Sequence, residues 1–298
     1  MNAEHIFVGT AGWSYPDWAG TVYPRTATAD RLRTVAGCVD CVEVDSSFYH
    51  PPTAQMTANW ARRVARQSEF RFLAKAWQRF THERTARWTQ TEFDHFARGF
   101  APLREAGRLE LLLFQFPWSF RHNAANQDWL CRLADDFTGW PMAVELRHDS
   151  WLTDDVLALL RSRRISFCNI DQPALAHCLP PTAVATTGIG YYRLHGRNAQ
   201  NWFQQTEKVY GGRYDYLYSD VELADLLVPI RRVAAQTTKT FVIFNNHKDG
   251  KALANALQLK ARLEPGVPAR APATLLTRFP ALRGSVQPDD AEQLPLID

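Results

Sequence analysis

The chain is predicted to fold as a single-domain α/β protein, a TIM-type (β/α)8 barrel spanning residues 1–264. Two observations carry this. Strand-length apolar runs alternate with helix-length amphipathic segments, the pattern of parallel βαβ units. The strand runs number eight, which is the count that closes a barrel. With 298 residues, 46% of them hydrophobic, the chain has the material for a packed core. Barrels commonly use about 250 residues as one domain.

In order, the strand runs are residues 6–14, 41–48, 70–76, 109–117, 142–148, 166–171, 191–196 and 240–246. Helical periodicity occupies 30–37, 53–65, 92–105, 127–137, 154–163, 221–235 and 251–263, with Thr53, Thr91, Thr153 and Asp220 as candidate N-caps. A doubly wound open sheet is the competing architecture, but its phosphate loop is missing: Gly9-Thr10-Ala11-Gly12 lacks dinucleotide spacing and no Walker sequence occurs. Nor is there a nucleophile elbow, because Pro16 stands where Gly12-Trp13-Ser14-Tyr15 would need its second glycine. Residues 197–220 form a long aromatic and polar insertion in the seventh βα connection, the side on which barrels carry lids. Residues 265–298 read as a Pro-rich tail that wraps the barrel or trails from it.

The formal charge of +3 is too mild to demand a nucleic-acid partner, although residues 62–108 hold 11 Lys and Arg against five Asp and Glu. The apolar runs fall far short of the roughly 20 residues that cross a bilayer, and the N-terminus lacks a basic start before a long apolar run. A cytoplasmic protein without a membrane partner is the expectation. Five cysteines in apolar surroundings read as reduced and buried; Cys38-Val-Asp-Cys41 has redox spacing but enters a strand instead of opening a helix.

Side chains alternate across a strand, and the apolar face of each strand is expected to meet the helices. Glu43 and Asp45 then point into the barrel, opposite Val42 and Val44. The same parity sends Glu145 and Arg147 inward from the fifth run and Arg193 and His195 inward from the seventh. Asn169 and Asp171 are placed inward on the sixth, with Lys75, Gln115 and Asn245 or Asn246 completing the set. Unpaired buried charge costs several kcal/mol, so these carboxylates and cations must offset one another. The ring is either a set of mutually satisfied pairs that fix the barrel register or the active site at the C-terminal strand ends. Trp13, Phe48, Tyr49, Trp77, Trp118 and Trp151 follow those ends and are candidates to line the mouth.

The strand-end motifs are Gly9-Thr-Ala-Gly-Trp-Ser-Tyr-Pro16, Val42-Glu-Val-Asp-Ser-Ser-Phe-Tyr49, Leu113-Phe-Gln-Phe-Pro117, Val144-Glu-Leu-Arg-His-Asp-Ser-Trp151, Tyr192-Arg-Leu-His-Gly196, Arg213-Tyr-Asp-Tyr-Leu-Tyr-Ser219 and Phe244-Asn-Asn246. Taken together, in order from about Ile6 to Leu263, they resemble the YecE-like family, the domain of unknown function numbered 72. The resemblance implies a TIM-type barrel and brings no assigned reaction. The family's second-strand motif often has Asn where this chain has Asp45.

The functional expectation is acid–base chemistry of a hydrolase or lyase on a small anionic, sugar-containing or phosphorylated substrate. Glu43, Asp45, Glu145, Asp171 and His195 are the candidate catalytic groups. Lys75, Arg147, Arg193, Gln115, Asn245, Trp13, Tyr49 and Trp151 are the candidate substrate contacts. No cofactor is expected. A divalent ion among Glu43, Asp45, Asp171 and His195 is disfavoured because Lys75, Arg147 and Arg193 would repel it. Two other readings stand beside this one. A nucleic-acid binding or processing protein could track phosphates with the basic, aromatic stretch 79–88, and a barrel could bind a ligand without turnover.

Overall fold

β1 (Ile6–Ala11) hydrogen-bonds in parallel to β2 (Cys41–Val44) on one side and to β8 (Lys239–Phe244) on the other, so the sheet closes on itself. Between them run β3 (Arg71–Lys75), β4 (Leu109–Gln115), β5 (Met142–Glu145), β6 (Ile165–Asp171) and β7 (Ile189–Leu194), in sequence order around the ring. The predicted eight-stranded barrel is therefore the fold of the protein. The structure, a computed structural model, describes residues 5–26, 30–203 and 212–289.

The helices that face the barrel are α1 (Arg31–Ala36), α2 (Ala54–Arg63), the short α3 (Gln78–Thr81), α4 (Gln90–Glu105), α5 (Ala124–Asp136), α6 (Asp154–Ser162), α7 (Asp220–Ala234) and α8 (Lys251–Leu263). Thr53 and Thr153 cap α2 and α6 as expected, accepting from the N–H groups of Met56 and Val156. The caps of α4 and α7 are Thr89 and Ser219 instead of Thr91 and Asp220. Each forms a capping box with the glutamate three residues on, Glu92 and Glu222, and that reciprocal pair of bonds sets where the helix begins. Phe80, Phe96 and Phe114 are fully buried and Phe137 nearly so, where α3, α4 and α5 pack on β4. Each such ring stabilises the fold by about 1.5–3 kcal/mol.

The β6–β7 connection has no helix among the described residues. Its place on the barrel wall is taken by an extended segment held by side chains of the outer face. Asn169 donates to the Val184 carbonyl at 2.9 Å and accepts from the Val184 N–H and the Thr182 hydroxyl, both at 2.8 Å. An outward amide here does the work of a strand neighbour. In the described part of the tail, β9 (Ala269–Ala271) and β10 (Val286–Pro288) pair in parallel around α9 (Ala273–Arg278), burying Leu275 and Leu282. The tail thus wraps the barrel over its described part.

At the N-terminal end the interior is closed by an ion pair spanning the barrel. Glu110 takes Arg71 Nε at 2.9 Å and Lys239 Nζ at 2.9 Å, at a register shift between β3 and β4 that brings it in line. Phe7 stacks on Phe241 above it. Gly9 of β1 has no room for a side chain: a Cβ there would sit 2.0 Å from the Cys41 carbonyl oxygen of β2. At this end a cavity of about 690 Å³ lies beneath the strands, lined in part by His5, Asp40, Arg66, Lys260 and Arg270. It is on the opposite face from the charged strand ends, which barrel chemistry occupies.

Candidate functional site

Glu43, Glu145 and Arg193 come from strands that are not neighbours in the sheet, so they can meet only across the barrel interior. Arg193 Nη2 donates to Glu43 Oε1 at 2.6 Å and Nε to Oε2 at 3.1 Å, while Nη1 reaches Glu145 Oε2 at 2.5 Å. The Tyr191 hydroxyl donates to Glu43 Oε2 from the same face of β7. All four side chains are buried. This arginine was expected to grip substrate; three of its donors go to the two carboxylates at the bottom of the cup. One cation shared by two buried carboxylates is a neutralising strut.

The second layer lies nearer the mouth. Arg147 Nε donates to Glu145 Oε1 at 2.7 Å, and no acceptor among the described residues takes its two Nη groups. His195 Nε2 lies 3.3 Å from the same Oε1, close but not aligned as a hydrogen bond. The amide of Asn245 donates to His195 Nδ1 at 2.9 Å, which leaves the imidazole proton on Nε2, facing Glu145. Lys75 Nζ pairs with Asp45 Oδ1 at 3.1 Å and sits over the Phe48 ring at 4.5 Å. Gln115, level with Glu145 in the β4–β5 register, donates to the Phe116 carbonyl at 3.1 Å.

The titration behaviour follows from this layout. Burial opposes ionisation of Glu145, but Arg193 and Arg147 outweigh it and hold the carboxyl well below its ordinary range. Burial pushes Glu43 up against the pull of Arg193. Burial also disfavours charged His195 and takes it down to about 4, with Glu145 opposing and Arg193 and Arg147 adding to the effect. His195 is therefore neutral at physiological pH. On the rim, His82 is lowered to about 4 by partial burial together with the positive charges of Lys75, Arg147 and Arg84. Three cations converge on the mouth strongly enough to be felt by a neighbouring imidazole.

Asp171 was expected inside the cup and lies outside it. The register pairs Cys168 with Tyr191 and Ile170 with Arg193, so Ser166, Cys168 and Ile170 form the inward set of β6. Asp171 shares its side with Leu194 and takes Arg197 Nη2 at 2.7 Å and the Tyr218 hydroxyl at 2.7 Å. Asn169 is outward for the same reason. Polar residues can occupy this end of the outer face because the helix-free β6–β7 segment bonds to Asn169, and Arg197 and Tyr218 bond to Asp171. The four groups once considered for an ion, Glu43, Asp45, Asp171 and His195, are thus not gathered at one point. With Asp171 removed, Glu43, Asp45 and Glu145 face Lys75, Arg147 and Arg193, and the charges balance.

Two of the expected mouth aromatics are packing residues. Trp151 is fully buried, stacked on Phe120 and donating to its carbonyl at 2.6 Å. Trp13 packs edge-on against Trp60 of α2 and the outward Phe72 of β3. Tyr49, by contrast, is 60% exposed on the rim. Four residues close to the cup were not picked out from sequence. Tyr191 was legible, since it shares the parity of Arg193 and His195. Trp202 and Tyr214 lie over His195 with ring centroids 6.0 and 6.3 Å away, and Trp202 is 5.9 Å from the Arg147 guanidinium. His247 stacks on Tyr15 at 4.3 Å. Only the aromatic richness of 197–220 hinted at the covering rings. Of that expected lid, residues 204–211 lie outside the described residues.

The thiols of Cys38 and Cys41 are both buried, and burial pushes Cys38 up to about 12 and Cys41 well above its ordinary value, so neither is a thiolate poised for exchange. No helix among the described residues is long and apolar enough to cross a membrane.

The fold and its charged interior define a (β/α)8-barrel protein with a neutralised ion-pair floor beneath a cationic mouth. The family model described as "Protein of unknown function DUF72" matches residues 7–276, and the chain belongs to that family. A DUF72 family protein from Thermotoga maritima superposes with a TM-score of 0.77 at 32% identity, over 87% of this chain and 99% of that one. One from Enterococcus faecalis gives 0.75 at 26% identity, over 87% and 94%. The UPF0759 protein YunF of Bacillus subtilis (strain 168) is 29% identical over 279 residues, 87% of this chain and 95% of its own length.

Proposed function

We propose that the protein is an enzyme that performs acid–base chemistry, of hydrolase or lyase type, on a small anionic substrate at the C-terminal mouth of the barrel. The observation that carries this is Arg147. Its guanidinium is anchored through Nε to Glu145, its Nη groups have no acceptor among the described residues, and it lies at the mouth with Lys75. A guanidinium held at one edge and open at the other is a fork for phosphate or carboxylate. The exposed rings of Tyr49 and Phe203 on the rim suit the face of a sugar.

In this reading Arg147 and Lys75 bind the anion, and Asp45, a third exposed and paired with Lys75, is the cup carboxylate that reaches solvent and exchanges the proton. His195 has its Nδ1 filled by the Asn245 amide and its Nε2–H turned toward Glu145, so it helps to position the Glu145–Arg147 pair and does not itself accept a proton. The nucleic-acid reading has weaker support. Arg79 is used by Glu92 and three backbone carbonyls, Arg84 by Asn126, and Arg87 by Asp136, so the stretch 79–88 holds its own loop together.

The test is to titrate the purified chain with inorganic phosphate and sulfate while following tryptophan fluorescence, and to screen phosphorylated and carboxylated sugars for turnover. Saturable anion binding that competes with turnover and disappears in Arg147→Gln is the expected result. Absence of any anion response in the wild-type chain overturns the reading.

A further inference from the structure

At the end of the barrel away from the charged cup, the α1–β2 and α2–β3 connections, α8 and the start of the tail enclose the cavity of about 690 Å³. Small-molecule sites occupy roughly 300–1,000 Å³. Val267, Pro268, Ala269 and Arg270 of its lining belong to the tail, so the wrapped tail supplies a wall that the barrel by itself lacks.

The floor is apolar: Cys38, Val39 and Phe70 line it, and all three are buried. The walls carry three cations, each from a different part of the fold. Arg66 follows α2, Lys260 lies on α8 and Arg270 on β9.

Most of the acid in the lining is already used. Asp40 takes Lys260 with Oδ1 and the Val8 N–H with Oδ2 at 2.9 Å. Glu69 meets Arg71 at 3.4 Å. Arg66 and Arg270 have no acceptor among the described residues, and Glu264 is the one acid of the lining left against them. Two guanidinium groups on the wall of one concavity differ from arginines scattered over a flat surface. Their forked donors border a shared volume, and a ligand seated on the apolar floor meets both. Gln67 lines the same cavity, and its Oε1 is buried with no donor among the described residues. A buried acceptor in that state is completed by an ordered water or a ligand hydroxyl.

We propose that this cavity is a second binding site, separate from the mouth, for a small organic anion. Arg66 and Arg270 hold its phosphate or carboxylate, and its apolar body rests on Cys38, Val39 and Phe70. Lys260 stays with Asp40 and adds positive charge to the wall. Glu264 limits the negative charge that the site accepts, so burial of the apolar body supplies part of the affinity. Because the tail forms one wall, the bound anion ties the tail to the barrel. The two sites share no residue.

The experiment titrates phenyl phosphate and inorganic phosphate by calorimetry into the full chain carrying Arg147→Gln, which disables the fork of the mouth. The same titrations are run with Arg66→Gln and Arg270→Gln added. No tryptophan lines the cavity, so this binding is invisible to the fluorescence that reports on the mouth. Arg66 and Arg270 are exposed and without partners among the described residues, so replacing them should leave the Tm of the ligand-free protein unchanged. One phenyl phosphate per chain should bind Arg147→Gln, raise its Tm and shift the ring protons of His5, which lines the cavity. Inorganic phosphate, with no apolar body, should bind more weakly. The added pair of substitutions should weaken phenyl phosphate at least tenfold and abolish the His5 shift. No binding to Arg147→Gln, or binding equally tight once Arg66 and Arg270 are replaced, overturns the proposal. Both results are read in a chain without the mouth's fork, so they are independent of the acid–base reading.

Discussion

Arg193 and Glu43 face each other across the barrel with two parallel contacts, Nη2 to Oε1 at 2.6 Å and Nε to Oε2 at 3.1 Å, and neither side chain meets solvent. The fork geometry explains why arginine stands here: a lysine could satisfy one carboxylate oxygen, whereas the guanidinium holds both oxygens of Glu43 and still reaches Glu145 with its remaining edge. Arg193→Met removes the shared cation, leaving buried Glu43 without a paired cation and Glu145 with Arg147 alone. The expected loss is about 3–5 kcal/mol of unfolding free energy, read as a lower urea midpoint. Glu43→Gln, which keeps an acceptor for Tyr191 and removes one charge, should cost clearly less. Equal losses from the two variants would show that the strut is not what holds this layer.

His195 gives a pH signature with a definite sign. Its folded-state value is about 4 against an ordinary 6.5, so the folded protein keeps the imidazole neutral where the unfolded chain protonates it. Between those values the unfolded state binds the extra proton. The stabilising contribution is therefore complete above pH 6.5 and is lost as the pH falls toward about 4. A displacement of this size corresponds to roughly 3 kcal/mol. Denaturation of wild type and His195→Gln at a series of pH values should show the wild type losing more stability over that window, with parallel curves above it. Parallel curves throughout would mean that the imidazole is not held neutral.

Much of the cup was legible because strand parity is a strict rule wherever the outer face is apolar. Val42 and Val44 fix Glu43, Val144 and Leu146 fix Glu145, and Tyr192 and Leu194 fix Arg193 and His195. The rule misplaced Asp171 and Asn169 because β6 does not meet that premise. Its outer face meets an extended segment and two side chains of the seventh connection, so polar residues sit outside and Cys168 and Ile170 sit within. For Arg193 the sequence stops short for another reason. Sequence shows that a guanidinium is inside, but how many of its donors remain open depends on what lies across the barrel. Trp151 and Trp13 were assigned to the mouth by adjacency to strand ends, a signal that cannot tell a rim ring from one folded back onto the helices.

Asp171 now carries a structural prediction. It accepts from both Arg197, at the start of the seventh connection, and Tyr218, near its end. Asp171→Asn weakens two charge-assisted bonds and should cost about 2 kcal/mol. It should also make the connection more sensitive to limited proteolysis while leaving anion affinity at the mouth within about twofold. A variant that binds phosphate far more weakly, with unchanged proteolysis, would return Asp171 to the site.

The sharpest separation between charge and geometry comes from Arg147→Lys. A lysine keeps the positive charge over Glu145 but cannot hold Glu145 with one edge and offer two further donors with the other. If the open Nη groups form the anion fork, Arg147→Lys should weaken phosphate binding about tenfold, and Arg147→Gln, which loses the charge as well, by about a hundredfold. The same two variants should differ at His82. Lysine leaves its pKa low, whereas glutamine removes one of the three cations that depress it and lets it rise, observable by NMR titration of the ring protons. A His82 that does not respond to Arg147→Gln would show that the cations do not share one field, and the cationic mouth on which the anionic substrate rests would be lost with it.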